Sequence, residues 1–268
     1  MNRPLSFARL VAVAGFVGAV SVARADTWLY ASPAYSTGSY GSGATTQIEG
    51  ITYGASVVHT VLNFKDRTSN KLAFNAWVPF LSVQGSGVIT SDGRVIGRRG
   101  TVGPTTTTTG WGDWMTQISD TYEGASFGSI DAYAGLKLVT GTRALGTGEN
   151  DYDFGATYNA LPVTIGKRQY TPFVGMTYTV MGKPPGLALQ NYVDSIAGVT
   201  TFALGGYVSG QLSYTGSAQL GFPAATAVSV SWGRNLFEGR SAFHVGLSKG
   251  LSNGSPNWSA WMSLGVWA

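Results

Sequence analysis

Residues 211–220 read QLSYTGSAQL, and their alternation decides the fold. Gln211, Ser213, Thr215, Ser217 and Gln219 are polar, while Leu212, Tyr214, Ala218 and Leu220 are apolar, with Gly216 between them. A two-residue period puts the two sets on opposite faces of a β-strand. The same phase recurs between turn signals along the C-terminal two-thirds of the chain, and no comparable helical pattern follows residue 25. Strands with one nearly uncharged apolar face, repeated without helices, predict an all-β chain: a closed antiparallel transmembrane β-barrel.

Working outward from that stretch, the expected strands are 27–36, 47–61, 71–83, 111–121, 128–139, 150–160, 169–181, 199–208, 211–221, 225–234, 240–249 and 257–267. Twelve is an even number, as single-chain bacterial barrels require, and ten or so residues suit a tilted crossing. Ile130, Ala132, Tyr152, Phe154, Val174, Met176, Val228 and Val230 are expected to face lipid, and Asp131, Tyr133, Lys137, Asp151, Asp153 and Phe173 the lumen. The first three strands are less regular, and Pro33 and Pro79 interrupt them. Short links (122–127, 161–168, 209–210, 235–239) alternate with longer ones (84–110, 140–149, 182–198), as periplasmic turns alternate with outer loops. The link at 222–224 is short for an outer loop.

Residues 1–25 read as a signal peptide. Arg3 and Arg9 precede an apolar run over 10–20, and Ala23-Arg24-Ala25 has the small-x-small form of a cleavage site. The run is too short to span ~30 Å of hydrocarbon. Residues 26–268 form the expected barrel domain. Cleavage removes Arg3, Arg9 and Arg24 and leaves 14 basic residues against 13 acidic ones, so the net charge falls from +4 to +1. No nucleic-acid partner is expected from that balance. There is no cysteine, which excludes a disulfide scaffold and thiolate metal sites. Charged residues are 11% of the chain, against ~25% in ordinary soluble domains. A secreted β-sandwich would need a polar outer face, which most of these strands lack.

Segment 84–110 carries Gly85, Gly87, Gly93, Gly97, Gly100 and Gly103, three arginines (Arg94, Arg98, Arg99) and Thr at every position from 105 to 109. Two readings stand for it: a loop folded into the mouth to narrow the pore, or a surface loop whose arginines meet lipopolysaccharide phosphates.

Catalysis would need a nucleophile beside a base. The two histidines, His59 and His244, have no serine at the spacing of a barrel phospholipase, and no G-x-S-x-G elbow exists. No catalytic residue, metal site or cofactor is therefore expected. Glu149, Asp151 and Asp153 could hold a cation at the mouth, or pair with Lys137 and Arg143. The expected pore-lining set is Asp131, Tyr133, Lys137, Asp151, Asp153, Phe173, Tyr207 and His244, with Trp77 and Trp261 as further inward aromatics. The charges would form an electrostatic constriction or a plug of salt bridges. The rings would hold an apolar solute or simply fill the lumen.

Several short segments resemble one family. They are PFLSVQGSG (79–87), GWGDWMTQISDTYEG (110–124), LKLVTGTRALGTGENDYDFG (136–155) and GLSNGSPNWS (250–259). In the same order they are similar to the bacterial outer-membrane transporter group named for the meta-pathway of phenol degradation. Its corresponding patterns are a "P-Y" strand, a "GxGD" opening, a "K-L-P-T-G … G-T-G … D-Y" signature and a "G-S-P-D-W" loop. Val139 stands where the family has Pro, Thr142 where it has an acidic residue, and Ala268 where such barrels end in an aromatic, which predicts a weakened assembly signal. The resemblance implies an outer-membrane channel for passive uptake of small hydrophobic or aromatic solutes. Its expected surroundings are outer-membrane lipid, lipopolysaccharide and the barrel-assembly machinery. The alternatives are a structural or adhesive barrel with a closed lumen and, disfavoured by the absent catalytic spacing, a barrel enzyme acting on lipid.

Overall fold

The computed structural model describes residues 26–41, 43–63, 68–91, 93–99, 103–142 and 144–268. Residues 1–25, with the signal-peptide reading, and Arg143 lie outside them. The strands are β1 (Asp26–Gly38), β2 (Thr46–Asn63), β3 (Thr68–Gly85), β4 (Val88–Ser91), β5 (Arg94–Arg98), β6 (Thr106–Trp111), β7 (Trp114–Gly124), β8 (Gly128–Leu138) and β9 (Asp151–Asn159). They continue as β10 (Val163–Ile165), β11 (Arg168–Val180), β12 (Tyr192–Ala203), β13 (Gly206–Thr215), β14 (Ala225–Leu236), β15 (Ser241–Gly250) and β16 (Trp258–Trp267). Twelve of them, β1–β3, β7–β9 and β11–β16, close into an antiparallel barrel through the β1–β16 pairing.

The outer surface explains why this sequence closes in a bilayer. Ile118, Ile130, Phe154, Val174, Met176, Leu212, Val230, Leu247 and Leu264 stand exposed in a continuous belt. Above it, toward the long loops, lie Tyr35, Trp114, Tyr152, Tyr178, Tyr214 and Trp258. Below it Tyr122 stacks on Phe127 at 5.4 Å and Trp232 meets Phe243 at 6.2 Å. An apolar band between two aromatic girdles is the lipid face of an outer-membrane barrel. Lys249, seated over the Trp258 ring at 4.6 Å, is an outward charge at the upper girdle.

β12 starts at Tyr192, inside the stretch expected to be the link 182–198, and two further strand boundaries differ from expectation. The turn placed at 209–210 is instead Leu204-Gly205, with φ of 55° and 71°. Both residues of this tight hairpin are left-handed, a geometry that Asn-Gly or Asp-Gly normally signals. Leucine in the first position hid it, while Ser209-Gly210 looked like a turn and is strand. The second correction falls on the opening stretch. β13 ends at Thr215, and residues 216–224 form an outer loop that includes a bridge from Gln219 to Leu189. Ala218 is buried under that loop rather than facing lipid. The outer link is therefore nine residues long, which removes the anomaly at 222–224. Pro79 sits where β3 changes partner from β7 to β6, a break at which a missing N–H costs no ladder bond.

Candidate functional site

The long third loop is folded. β4 and β5 pair as a hairpin that enters the outer mouth of the barrel. On one side Val88 and Val95 pack against Ile48, Leu81, Val83 and Leu145. On the other Ile96 packs against Met181, Leu189 and Ala218 from two further outer loops. The hairpin thus bridges the mouth from the β2–β3 wall to the loops after β11 and β13.

Polar contacts fix it at three places. At its root the Arg98 guanidinium donates to Ser86 O, to Ala44 O at 3.0 Å and to Thr46 Oγ1 at 2.5 Å, with Ser86, Thr46 and Arg98 itself buried. Burial pulls the pKa of Arg98 below its ordinary value. Along its free edge the Gln219 side chain accepts from Arg98 N at 2.9 Å and donates to Arg98 O at 3.0 Å, which imitates a neighbouring strand. At its tip Thr90 Oγ1 donates to Leu145 O at 2.8 Å and Ser91 Oγ donates to Asp151 at 3.3 Å. Of the two readings offered for 84–110, the geometry matches the loop in the mouth. Arg98 is inside the protein and Arg94 lies 3.5 Å from Asp194 on the barrel wall.

Beside the tip lies a buried ionic knot. Lys137 Nζ is 2.5 Å from Asp151 Oδ2 and 3.6 Å from Asp113 Oδ2, and it donates to Thr147 Oγ1 at 2.6 Å. Its side chain has 0% exposure, against 3% for Asp151 and 4% for Asp113. Asp113 Oδ1 also accepts from Thr140 N and Gly141 N, and Asp151 Oδ1 from Gly182 N. A Cβ at Gly146 would overlap the Asp113 carboxylate, and one at Gly141 would overlap the Gly112–Asp113 backbone. Gly112 N in turn donates to Pro79 O at 2.8 Å. Four separate stretches, 79–87, 110–124, 136–142 and 146–153, are brought together here. Val139 uses its position well: its N–H donates to Asn150 Oδ1 at 3.1 Å, a bond no proline could make.

The expected pore-lining residues separate into four groups. Lys137 and Asp151 point inward but meet no lumen water, because the returning loops and hairpin cover them. Asp131 accepts from Thr121 Oγ1 and Asp153 from Thr179 Oγ1, both on the inner wall. The carboxylates of 149–153 do not converge on a cation, since Asp151 is consumed by Lys137 and Asp153 by Thr179. Tyr133 lies over Gly155 of β9 and reaches Thr177 of β11 with its hydroxyl. Phe173 lies over Gly198 and His244 over Gly233 in the same way. Tyr207 has the inward phase but stands 54% exposed at the periplasmic edge, meeting Phe202 at 5.5 Å.

Between the free edge of the hairpin and the wall of β12–β14 lies a cavity of ≈ 520 Å³. Its upper lining includes Tyr40, Pro223, Gly254 and Pro256 of the outer loops. Its lower lining includes Tyr133, Thr177, Ile196, Gln211 and Ser213 of the inner wall. Arg94 and Asp194 are the charged residues that line it. Tyr40 donates to Ser36 Oγ at 2.8 Å, and burial pushes its phenol up to about 12, so it stays neutral. Sequence reasoning missed Asp113, Asp194 and Gln219 here. Asp113 was visible in its "GxGD" setting; the other two carried no local signal.

No family model and no curated protein matches the chain. Among solved structures it is similar to an outer-membrane channel from Pseudomonas putida F1, with TM-score 0.63 and 16% identity over 92% of this chain and 97% of that one. It is also similar to the transport unit of the autotransporter AIDA-I from Escherichia coli, with TM-score 0.57 and 9% identity over 98% and 97% of the two chains. The shared feature is the barrel. Together with the apolar belt and its girdles, it makes this chain a barrel of the bacterial outer membrane.

Proposed function

We propose that the protein is a passive channel through which small hydrophobic or aromatic solutes enter across the outer membrane. The observation that carries this reading is the cavity beside the hairpin. It joins the outer loops to the inner wall beside the hairpin. Its volume lies within the ≈ 300–1,000 Å³ range of small-molecule sites. Hydroxyls and amides of Thr177, Gln211 and Ser213 alternate there with Tyr133, Ile96 and Ile196, which suits a solute with an apolar body and few polar groups. The resemblance noted in the sequence points to the same solute class. Passage must be weak-binding to be productive, because a solute that cannot leave is not conducted. No energy-coupling motif is visible in the sequence, so flux runs downhill. The proposed partners are the bilayer with its lipopolysaccharide leaflet, the barrel-assembly machinery that inserts the chain, and the solute.

The test is flux into proteoliposomes carrying the purified chain, over a panel of aromatic, aliphatic and small polar solutes, with single-channel recording in planar bilayers. Faster entry of aromatic or aliphatic solutes than of polar ones of equal size is expected. A barrel that passes neither current nor any solute is a closed structural barrel, the reading that the firmly anchored hairpin would then favour.

A further inference from the structure

Inward glycines face inward rings in register around the lumen. Trp261 pairs with Gly246, Tyr30 with Gly54, Tyr133 with Gly155, Phe173 with Gly198 and His244 with Gly233. In every pair a Cβ on the glycine would overlap the ring, and the same holds for Gly265 against Trp28. A ring can lie along the wall only if the residue beneath it has no side chain. With a methyl group there, the ring must rotate to another rotamer, and on a concave wall the free direction is the lumen axis.

The pairs on β15, β16, β1 and β2 form a descent. Ser36 and Ser259, paired across the β1–β16 seam, line the cavity. Below them on the same seam come Trp261 opposite Ala34, Tyr30 opposite Gly265, and Trp28 opposite Trp267, the last two rings 4.9 Å apart. The adjoining wall, which begins at the β2–β3 pairing, is built differently. On β3, β7 and β8 long polar side chains are tied across strands: Lys71 to Glu123 at 2.6 Å, Asn75 to Gln117 at 3.3 Å, and Thr121 to Asp131 at 2.8 Å.

We infer that the solute path below the cavity descends the β16–β1–β2 face of the lumen, and that Gly246, Gly54 and Gly265 set its width by letting Trp261, Tyr30 and Trp28 lie against the wall. This rests on the channel reading above. The glycines are positioning residues: they touch no solute and act through the rings. Because each ring lies flat, adding a methyl beneath it narrows the path more than deleting the ring widens it.

That asymmetry is measured by single-channel conductance of the full chain, with heat-modifiable migration as the check on folding. Gly246→Ala lowers conductance by roughly two-fold or more, since a raised indole obstructs a narrow pore. The double variant Gly246→Ala/Trp261→Ala restores it. Gly210→Ala, on the lipid face with nothing within 4 Å of the added atom, leaves it unchanged. Gly54→Ala and Gly265→Ala repeat the test should Gly246→Ala not fold. Trp261→Ala alone raises conductance by less than about two-fold. A folded Gly246→Ala channel of unaltered conductance overturns the inference, as does a many-fold rise in Trp261→Ala, which would mean that the ring already projects. Absence of current from the unaltered chain removes the channel reading and this inference with it.

Discussion

The ionic knot at the mouth and the paved seam below it are built from residues of the same inward phase, yet they solve opposite problems. Lys137, Asp113 and Asp151 are charges taken wholly out of water. Trp261, Tyr30 and Trp28 are apolar rings laid over glycines along the wall of the lumen. At the mouth, returning loops supply the cover and the charges lock that cover in place. In the shaft no described residue returns, and glycines instead keep the rings from filling the space. Inward phase therefore determines which side of the wall a residue occupies, while the loops determine whether it meets water.

Breaking the knot has the largest expected effect. Lys137→Met leaves two carboxylates buried without their cation, a loss of about 3–5 kcal/mol for a pair of this kind. The half-exposed pair Lys71–Glu123, 41% and 40% exposed, is the internal control: Lys71→Met costs about 0–1 kcal/mol. The temperature at which heat-modifiable migration is lost, measured for both variants, checks the contrast. Equal shifts would show that the knot carries no more than a surface pair.

Next comes release of the hairpin. Arg98→Ala removes donors to Ser86, Ala44 and Thr46 at the hairpin root, while the barrel ladder stays intact. Conductance is expected to rise by about two-fold or more as the hairpin loosens, because the filled part of the mouth opens to water. Gln219→Ala, which frees only the edge, gives a smaller rise. Unchanged current in both variants would mean that the narrowest point lies elsewhere.

Much of the wall was legible in the sequence. The faces of β8, β9, β11 and β14 follow from simple alternation, and the inward phase of Tyr133 and Phe173 was readable in the same way. The mouth was not legible, for physical reasons. Leu204 adopts φ of 55° in a turn whose sequence does not call for it, so the register of β12 and β13 was misread. Ala218 and Gln219 continue the alternation of 211–215 but are drawn inward by Leu189 and Arg98, partners distant in sequence. Lys137 and Asp151 carry no sign of burial in their own strands, because the covering residues, Thr90, Ser91 and Leu145, come from other loops. Alternation gives Gly155 and Gly233 the inward phase, but only the cross-strand register shows that they lie beneath rings.

The charges beside the cavity should act more gently than those of the knot. Arg94 is 58% exposed and Asp194 18%, at 3.5 Å from each other. Arg94→Ala leaves a local negative charge and shifts reversal potential toward cation preference. Asp194→Asn shifts it toward anions. Salt gradients across a planar bilayer give the sign directly, and shifts in one common direction would place the pair outside the conducting path.

A gentle effect is also expected at Tyr133, a ring laid over glycine at the cavity. It lines the cavity, lies over Gly155 and holds Thr177 with its hydroxyl. A solute stacking on its free face would gain about 0.5–1.5 kcal/mol, which is roughly 2- to 10-fold in half-saturation. Tyr133→Ala should raise the half-saturating concentration of an aromatic solute by that factor and leave flux at high concentration nearly unchanged, because the ring is flat and its removal opens little space. Phe173→Ala, deeper and outside the cavity lining, should follow the same direction with a smaller factor. Tyr133→Phe keeps the face and loses only the bond to Thr177, so its half-saturation should stay near that of the unaltered chain. If Tyr133→Ala changes flux equally at all concentrations, the ring is wall and not binding surface, and the contrast between a locked mouth and a solute-bearing shaft reduces to one of shape alone.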